Sequence, residues 1–316
     1  MKKQLTSLCF GEILWDIFHC QHDEKAQNES ILGGAPSNLC YYLNALGNQS
    51  TLISQVGNDA LGDEAIQVLE SFHIPHIIPK STLPTGKVDI YFHNNEPTYQ
   101  FNMPAAWDAI PLTQTMLDTA INADIIAFGS LAHRYNHEID QSSLTNFSFE
   151  TLQSILRSNT TAQRFLDLNL RDPHYHEACI LELLSLADIL KINQTEFSYL
   201  QSLLNLAHLS TRDALYQMIQ QLNLNFIILT LGANGSIIMS ENDYSAKSAL
   251  KIDLVDTVGA GDAFSAGLLT ALHQGASFSA AHDFANHFSS YICTQKGAFV
   301  PIPNSFKEKL EKIDCW

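Results

Sequence analysis

Basic residues are scarce in this chain: 17 Lys and Arg stand against 33 Asp and Glu, a formal net charge of −16. A surface of that sign repels phosphate backbones and anionic lipid, which argues against nucleic-acid and membrane partners. It leaves room for an anionic ligand held at a local positive site. No apolar run reaches the ~20 residues that a membrane-spanning helix needs. The opening MKKQLTSLCFGEILWDIF reads as a first strand rather than a signal peptide, because Glu12 and Asp16 interrupt it. No CxxC pair occurs among Cys9, Cys20, Cys40, Cys179, Cys293 and Cys315. The cysteines read as buried free thiols, which suits a reducing, cytoplasmic setting. HExxH is absent too, and the closest histidine pairs lack a third ligand at a zinc-like spacing. These pairs, His174 with His176 beside Pro173 and His282 with His287, read as surface or packing residues. There is no GxxxxGK[ST] loop, which excludes a P-loop enzyme, and GAGDAFSAG lacks the third glycine of the dinucleotide fingerprint.

What is present is a regular alternation. With 316 residues, 46% of them hydrophobic, and neither repeats nor linkers, the chain reads as a single domain over 1–316. LCFGEILWDIF is expected to be one buried strand ending at Asp16. SNLCYYLNALG has helical periodicity, with Ser37 as the expected cap and Gly47 as its close. TLISQVG and IPHIIP read as extended and ALGDEAIQVLESF as helical. TGKVDIYF and TYQFNM alternate around a predicted turn at HNNEP. From ADIIAFGS onward, the apolar strands ADIIAFG, AQRFLDLN, ADILKIN, NFIILTLG and GSIIMS are separated by amphipathic helical stretches. That pattern predicts an α/β fold, a mostly parallel sheet covered on both faces. AGDAFSAGLLTALHQG and SAAHDFANHFSSYICTQ are the two helices expected to end the chain. The segments near 14–32 and 85–107 are expected to form a small sheet beside the main one.

In such sheets ligands sit beyond the carboxyl ends of the strands. Several predicted strands end there in polar residues: Asp16, Asp167 with Asn169, Asn193, and Thr230 with Gly232. DTVGAGDAFSAGLL adds two glycines at the start of a helix, where unpaired N–H groups and the helix dipole form a cradle for an anion. Asp262 then stands beside a negative ligand at an electrostatic cost. A carboxylate held in that position suits a general base that takes a proton from an attacking hydroxyl.

Taken together these pieces resemble the ribokinase-like (PfkB) family of carbohydrate kinases. DTVGAGDAFSAGLL resembles the family's C-terminal signature and GGAPSNLCYYLNALG its N-terminal one, with VGNDALGDE, DLNLR, KINQTE and TLGANGS between them in family order. GEILWD, GGAPSN, PTGKV, PAAWDAI and DLNLR are most similar to bacterial fructokinases. The resemblance implies a three-layer α/β/α sandwich whose small β sheet is a lid over the sugar and can serve as a homodimer surface. It implies Asp262 as the general base, and Gly259, Ala260 and Gly261 as the anion hole. Asp16, Gly33, Gly34 and Asn38 would bind sugar hydroxyls, with Arg171 near the substrate or the γ-phosphate. ATP would lie along Asn193, Thr230, Gly232, Gly235 and Asn286. Asn193 and Glu196 would act near Mg²⁺ through water, and Asp256 and Val258 at a monovalent cation such as K⁺. Fructose is the implied substrate, with ribose and 2-keto-3-deoxygluconate as alternatives, and a non-catalytic sugar sensor as a reading of another class. Leu168 stands where such kinases often carry proline, and Val258 where a second threonine is common; neither departure removes a catalytic group.

Overall fold

Gly11 divides the opening apolar run. Its φ of 151° and the 2.7 Å that a Cβ there would leave to Pro36 Cγ require a residue without a side chain. The expected single strand is therefore two, β1 (Thr6–Phe10) and β2 (Leu14–His19), and they belong to different sheets. The computed structural model describes residues 3–19, 29–93, 96–134, 147–171 and 174–313. Cys20, Cys315, Pro173, the Asn94–Asn95 turn and residues 20–28 of the expected lid lie outside them.

The remaining strands run β3 (Glu29–Gly33), β4 (Gln49–Ile53), β5 (Val56–Gly57), β6 (His76–Ile77), β7 (Lys80–Ser81), β8 (Gly86–His93) and β9 (Glu96–Phe101). They continue as β10 (Ile125–Gly129), β11 (Gln163–Asp167), β12 (Ile189–Asn193), β13 (Phe226–Thr230), β14 (Ser236–Ser240) and β15 (Tyr244–Lys247). The helices are α1 (Ala35–Ala45), α2 (Ala60–Ser71), α3 (Gln114–Ala120), α4 (Phe147–Ser158) and α5 (Glu177–Leu186). After them come α6 (Gln194–Leu203), α7 (Thr211–Leu222), α8 (Ala260–His273), α9 (Phe278–Ile292) and α10 (Asn304–Glu311).

Nine strands form the main sheet in the order β15-β14-β13-β12-β11-β10-β1-β4-β6. It is parallel except at one edge, where β14 and β15 pair antiparallel. Successive residues of each strand feed opposite layers, as the period of two requires. Leu8, Phe10, Ile126, Phe128, Leu190 and Ile192 pack with α3–α7. Cys9, Ile125, Ala127, Ile189 and Ile228 pack with α1, α2 and α8–α10. Both faces are thus buried, which is why the strands read as continuous apolar runs.

Two expectations at helix ends are corrected. Ser37 is not the cap of α1: the helix starts three residues earlier, with Gly34 at the N-cap and Pro36 in the first turn, where proline lacks no needed donor. Ser37 Oγ donates back to the Gly33 and Gly34 carbonyls. The chain also ends in three helices rather than two, because Phe306 and Leu310 anchor α10 against α9 in an otherwise polar stretch.

The second sheet, β3-β2-β8-β9, occupies the segments expected for the lid. Leu14, Val88 and Ile90 on its inner face pack with Trp107 and Leu131. Asp59 ties the sheet to α2, capping that helix through Gly62 N–H (2.8 Å) and accepting from Thr85 N–H (2.8 Å) at the foot of β8. Behind the next residue lies Trp107, held under the Arg134 guanidinium, which donates to both oxygens of Asp108. A Cβ at Gly86 would come within 1.8 Å of Trp107 Cζ3. Gly86→Ala must therefore displace a fully buried indole, and overpacking of this kind costs about 2 kcal/mol or more. Urea unfolding should show that loss; a change under about 0.5 kcal/mol would mean the lid foot repacks freely.

Candidate functional site

The carboxyl ends of β1, β10, β11, β12 and β13 meet the N-termini of α1, α6 and α8. The start of α8 departs from ordinary helix geometry. Gly259, its N-cap, has φ 73° in the left-handed region, and Ala260 N–H turns back onto the Thr257 carbonyl at 3.2 Å. A Cβ on Gly259 would crowd both Tyr42 and the Ala298 carbonyl at 3.2–3.3 Å. The turn brings Asp262 into the first turn of α8, where a helix presents N–H groups with no partner inside it.

Asp262 is held by one hydrogen bond and lies in the field of a buried lysine. Asn38, one turn into α1 and buried, donates its amide to Asp262 Oδ2 at 2.8 Å. The lysine is Lys191, whose Nζ lies 3.4 Å from the position a Cβ on Gly261 would take. Lys191 is itself paired with Asp167 Oδ2 at 2.5 Å. Loss of hydration pushes the Asp262 carboxyl up to about 6, and Asp167 adds to that push. Lys191, the Asn38 amide and Arg171 pull the other way. Asp167 and Asp262 share the wall of a recess otherwise lined by apolar groups such as Ala35, Pro36, Ala127 and Phe165. A desolvated carboxylate poised between its two protonation states near neutrality can accept a proton.

Asp16 lies on β2 with Oδ2 3.2 Å from where a Gly33 Cβ would be. Burial raises its carboxyl to about 6, against the pull of Arg171. Gly34 (φ 114°) passes so close to the Glu12 carbonyl that a Cβ would stand 2.5 Å from it. Only glycine fits there. Arg171 is exposed in the loop after β11 and exerts its charge on Glu12, Asp16 and Asp262 alike. Asp16, Gly33, Gly34, Asn38, Arg171 and Asp262 therefore come together as one cluster.

Asn193 and Glu196 form a capping box at α6. Asn193 Oδ1 accepts from Glu196 N–H (3.0 Å) and Glu196 Oε2 from Asn193 N–H (2.8 Å). Glu196 Oε1 also accepts from Leu170 N–H (2.8 Å), so both of its oxygens already serve backbone donors. Thr230 pairs with Asn193 in register across β12 and β13. Gly232 (φ 56°) and Gly235 (φ 103°) turn the chain after β13, and a Cβ on Gly235 would strike the Lys247 carbonyl at 1.9 Å. Asn286 of α9 donates to the Ser248 carbonyl (2.8 Å) beside that turn. Asp256 accepts from Val258 N–H and from Gly297 N–H, both at 3.0 Å, joining the loop before α8 to the one after α9.

The model of the pfkB family carbohydrate kinases matches residues 4–305 of this sequence. The chain belongs to that family. An ATP-dependent 6-phosphofructokinase of Thermoanaerobacterium thermosaccharolyticum is 24% identical over 316 aligned residues, covering 96% of this chain and 92% of that protein. A crystal structure of fructokinase with bound ATP from Xylella fastidiosa superposes with a TM-score of 0.80 at 21% identity, covering 99% of both chains. A fructokinase double mutant from Vibrio cholerae, solved with fructose, ADP and potassium ion, gives 0.76 at 21% identity over 98% of this chain and 99% of that one. The fold is the ribokinase-like three-layer α/β/α sandwich, and the protein is a sugar kinase of the PfkB family.

Sequence reasoning assigned no role to Glu12 or Lys191. The signal was a charge inside an apolar run, in LCFGEILW and in DILKIN. Lys191 is firmly cationic, because Asp167, Asp262 and Glu196 outweigh the effect of its burial. Lys191→Met removes the strongest charge holding the Asp262 carboxyl down. The Asp262 titration, followed by carbon-13 carboxyl resonances, should move upward from about 6 by about one unit. An unchanged midpoint would mean that Lys191 does not act on Asp262.

Proposed function

We propose that the protein transfers the γ-phosphoryl group of ATP to a primary hydroxyl of a neutral sugar, fructose. The observation that carries this reading is Asp262, bonded to Asn38 and under the charge of Lys191 at the glycine start of α8, with its carboxyl near 6. In this reading Asp262 takes the proton from the sugar hydroxyl as that oxygen attacks phosphorus. The Gly259–Gly261 backbone stabilises the charge that develops on the transferred group. Asp16 and Asn38, with the backbone of Gly33 and Gly34, hold the sugar hydroxyls, and Arg171 reaches toward the substrate or the γ-phosphate. The lid strands exclude water that would otherwise compete as acceptor.

ATP lies along Asn193, Thr230, Gly232, Gly235 and Asn286, where two positive-φ glycines keep the backbone bare for a phosphate or base edge. Magnesium, when bound, neutralises phosphate charge. Asn193 and Glu196 suit it through water, since their oxygens already accept backbone N–H groups. The turn tied by Asp256 and Val258 suits a monovalent cation held by backbone carbonyls, in keeping with the potassium of the Vibrio cholerae fructokinase structure. Fructose is preferred because that structure contains it and because of the charge at the acceptor end. The Thermoanaerobacterium thermosaccharolyticum relative is named for a phosphorylated sugar. Here the charge of Arg171 acts on three carboxyl groups, Glu12, Asp16 and Asp262, a balance that disfavours a second phosphate.

Coupled ADP release with Mg-ATP and K⁺ across fructose, ribose, glucose, 2-keto-3-deoxygluconate and fructose 6-phosphate tests the reading. Fructose should be turned over best, with kcat/KM falling as pH drops through about 6 and Asp262 becomes protonated. Asp262→Asn should lower kcat by about a thousandfold while ATP affinity stays within about twofold. A variant that keeps wild-type turnover removes Asp262 as the base, and a preference for fructose 6-phosphate overturns the neutral-sugar assignment.

A further inference from the structure

The chain enters the lid through Gly11–Ile13, between β1 and β2, and leaves its first hairpin through Gly34, between β3 and α1. These two crossings touch. The Glu12 carbonyl and Ile13 Cα would stand 2.5 and 3.3 Å from a Cβ on Gly34, and Pro36 closes over Gly11. Between them lies the Glu12 side chain, only 2% exposed. Its carboxyl lies at the N-terminal end of α1, where its own N–H and that of Ala35, the first residue of the helix, favour the charged form. Its Oε2 is buried and has no hydrogen-bond partner among the described residues. The charged groups facing it are Arg171, from the loop after β11, and Asp262 on α8; α1 faces it with the Ala35 N–H.

A buried carboxylate is costly, and here it sits where a helix N-terminus and a cation offset that cost. One turn further along α1 is Asn38, which holds Asp262 Oδ2. Four residues along the chain from Glu12 is Asp16, on the lid strand β2. Glu12 therefore stands at the point where the lid, α1 and the Asp262 contact share a support.

We propose that Glu12 is a positioning residue for phosphoryl transfer, its carboxylate clasping both crossings of the lid to the first turn of α1 and so fixing the Asn38–Asp262 contact. The inference rests on the reading of Asp262 as the base. Burial lifts the Glu12 carboxyl to about 7, so the clasp is charged above neutrality and weakens as pH falls toward 6. The acid limb of the activity profile thus carries Glu12 as well as Asp262.

The test compares wild type, Glu12→Gln, Asn38→Ala and the double variant in the full chain. Glu12→Gln should lower kcat/KM for fructose about tenfold with the KM for ATP unchanged. Its acid limb should follow a single group near 6. Hydrogen exchange should quicken about fivefold in the first turn of α1 and in β2. The double variant should be no worse than the poorer single one, because both act through one contact. Should Glu12→Gln fail to fold, Glu12→Asp, one methylene short of Ala35, carries the same measurements. Wild-type exchange and turnover in the Glu12 variant, or losses that multiply in the double variant, would overturn the proposal. A wild-type enzyme that phosphorylates none of the sugars would count against the proposed function alone, and the exchange measurement would still decide the clasp.

Discussion

Desolvation of Asp262 is the constraint on which the rest of the site depends. A carboxylate with no compensation in that position would stay protonated well above neutrality and could not act as a base; a fully compensated one would sit near its ordinary value and be a weak one. The structure holds it between these limits. Burial and Asp167 push the carboxyl up, while Lys191, the Asn38 amide and Arg171 draw it down to about 6. Lys191 can serve there only because Asp167 accompanies it at 2.5 Å, and that pair is inside the protein because β11 and β12 are adjacent in register, Asp167 opposite Lys191.

The fold supplies this arrangement from its most rigid parts. Two of the compensating groups stand on regular elements, where local geometry leaves little freedom, while Arg171 is in an exposed loop. Asn38 is on α1, Lys191 on β12 and Asp262 on α8, and α1 and α8 pack against each other in one core. The lid is different in kind. It joins the main body through Asp59 to Thr85, Trp107 against Gly86, Trp15 and Leu32 packed into the core with α1, and Glu12 near the start of α1. A cleft whose chemistry comes from the main sheet and whose cover is a separate sheet suits an enzyme that must admit a sugar and then exclude water.

Much of the architecture was legible because it is local. Apolar strands alternating with amphipathic helices predict the parallel sheet, and DTVGAGD carries its own reason for the glycines. What was hidden depends on partners far apart in the chain. Asn38 and Asp262 are 224 residues apart, so the amide that orients the carboxylate could be named only as a sugar ligand. Glu12 looked like an interruption in one long strand, because two buried strands joined by three residues have the hydropathy of one. Ser37 looked like a cap because serine commonly is one, yet Pro36 let the helix begin earlier. Glu196 was assigned to magnesium by its motif, while its capping of α6 and its bond to Leu170 follow only from the fold. The short polar α10 and the edge strand β15 escaped for a simpler reason: few apolar residues anchor them.

The most direct test is a crystal structure with fructose and a non-hydrolysable ATP analogue. The account predicts a primary hydroxyl oxygen of fructose about 2.6–3.2 Å from an Asp262 carboxylate oxygen, the range a general base requires. It also predicts Asn38 still bonded to Asp262, and the γ-phosphorus in line with that hydroxyl above Gly259–Gly261. A sugar bound in the cleft with its hydroxyls turned away from Asp262, or an Asp262 released from Asn38 in the complex, would contradict it.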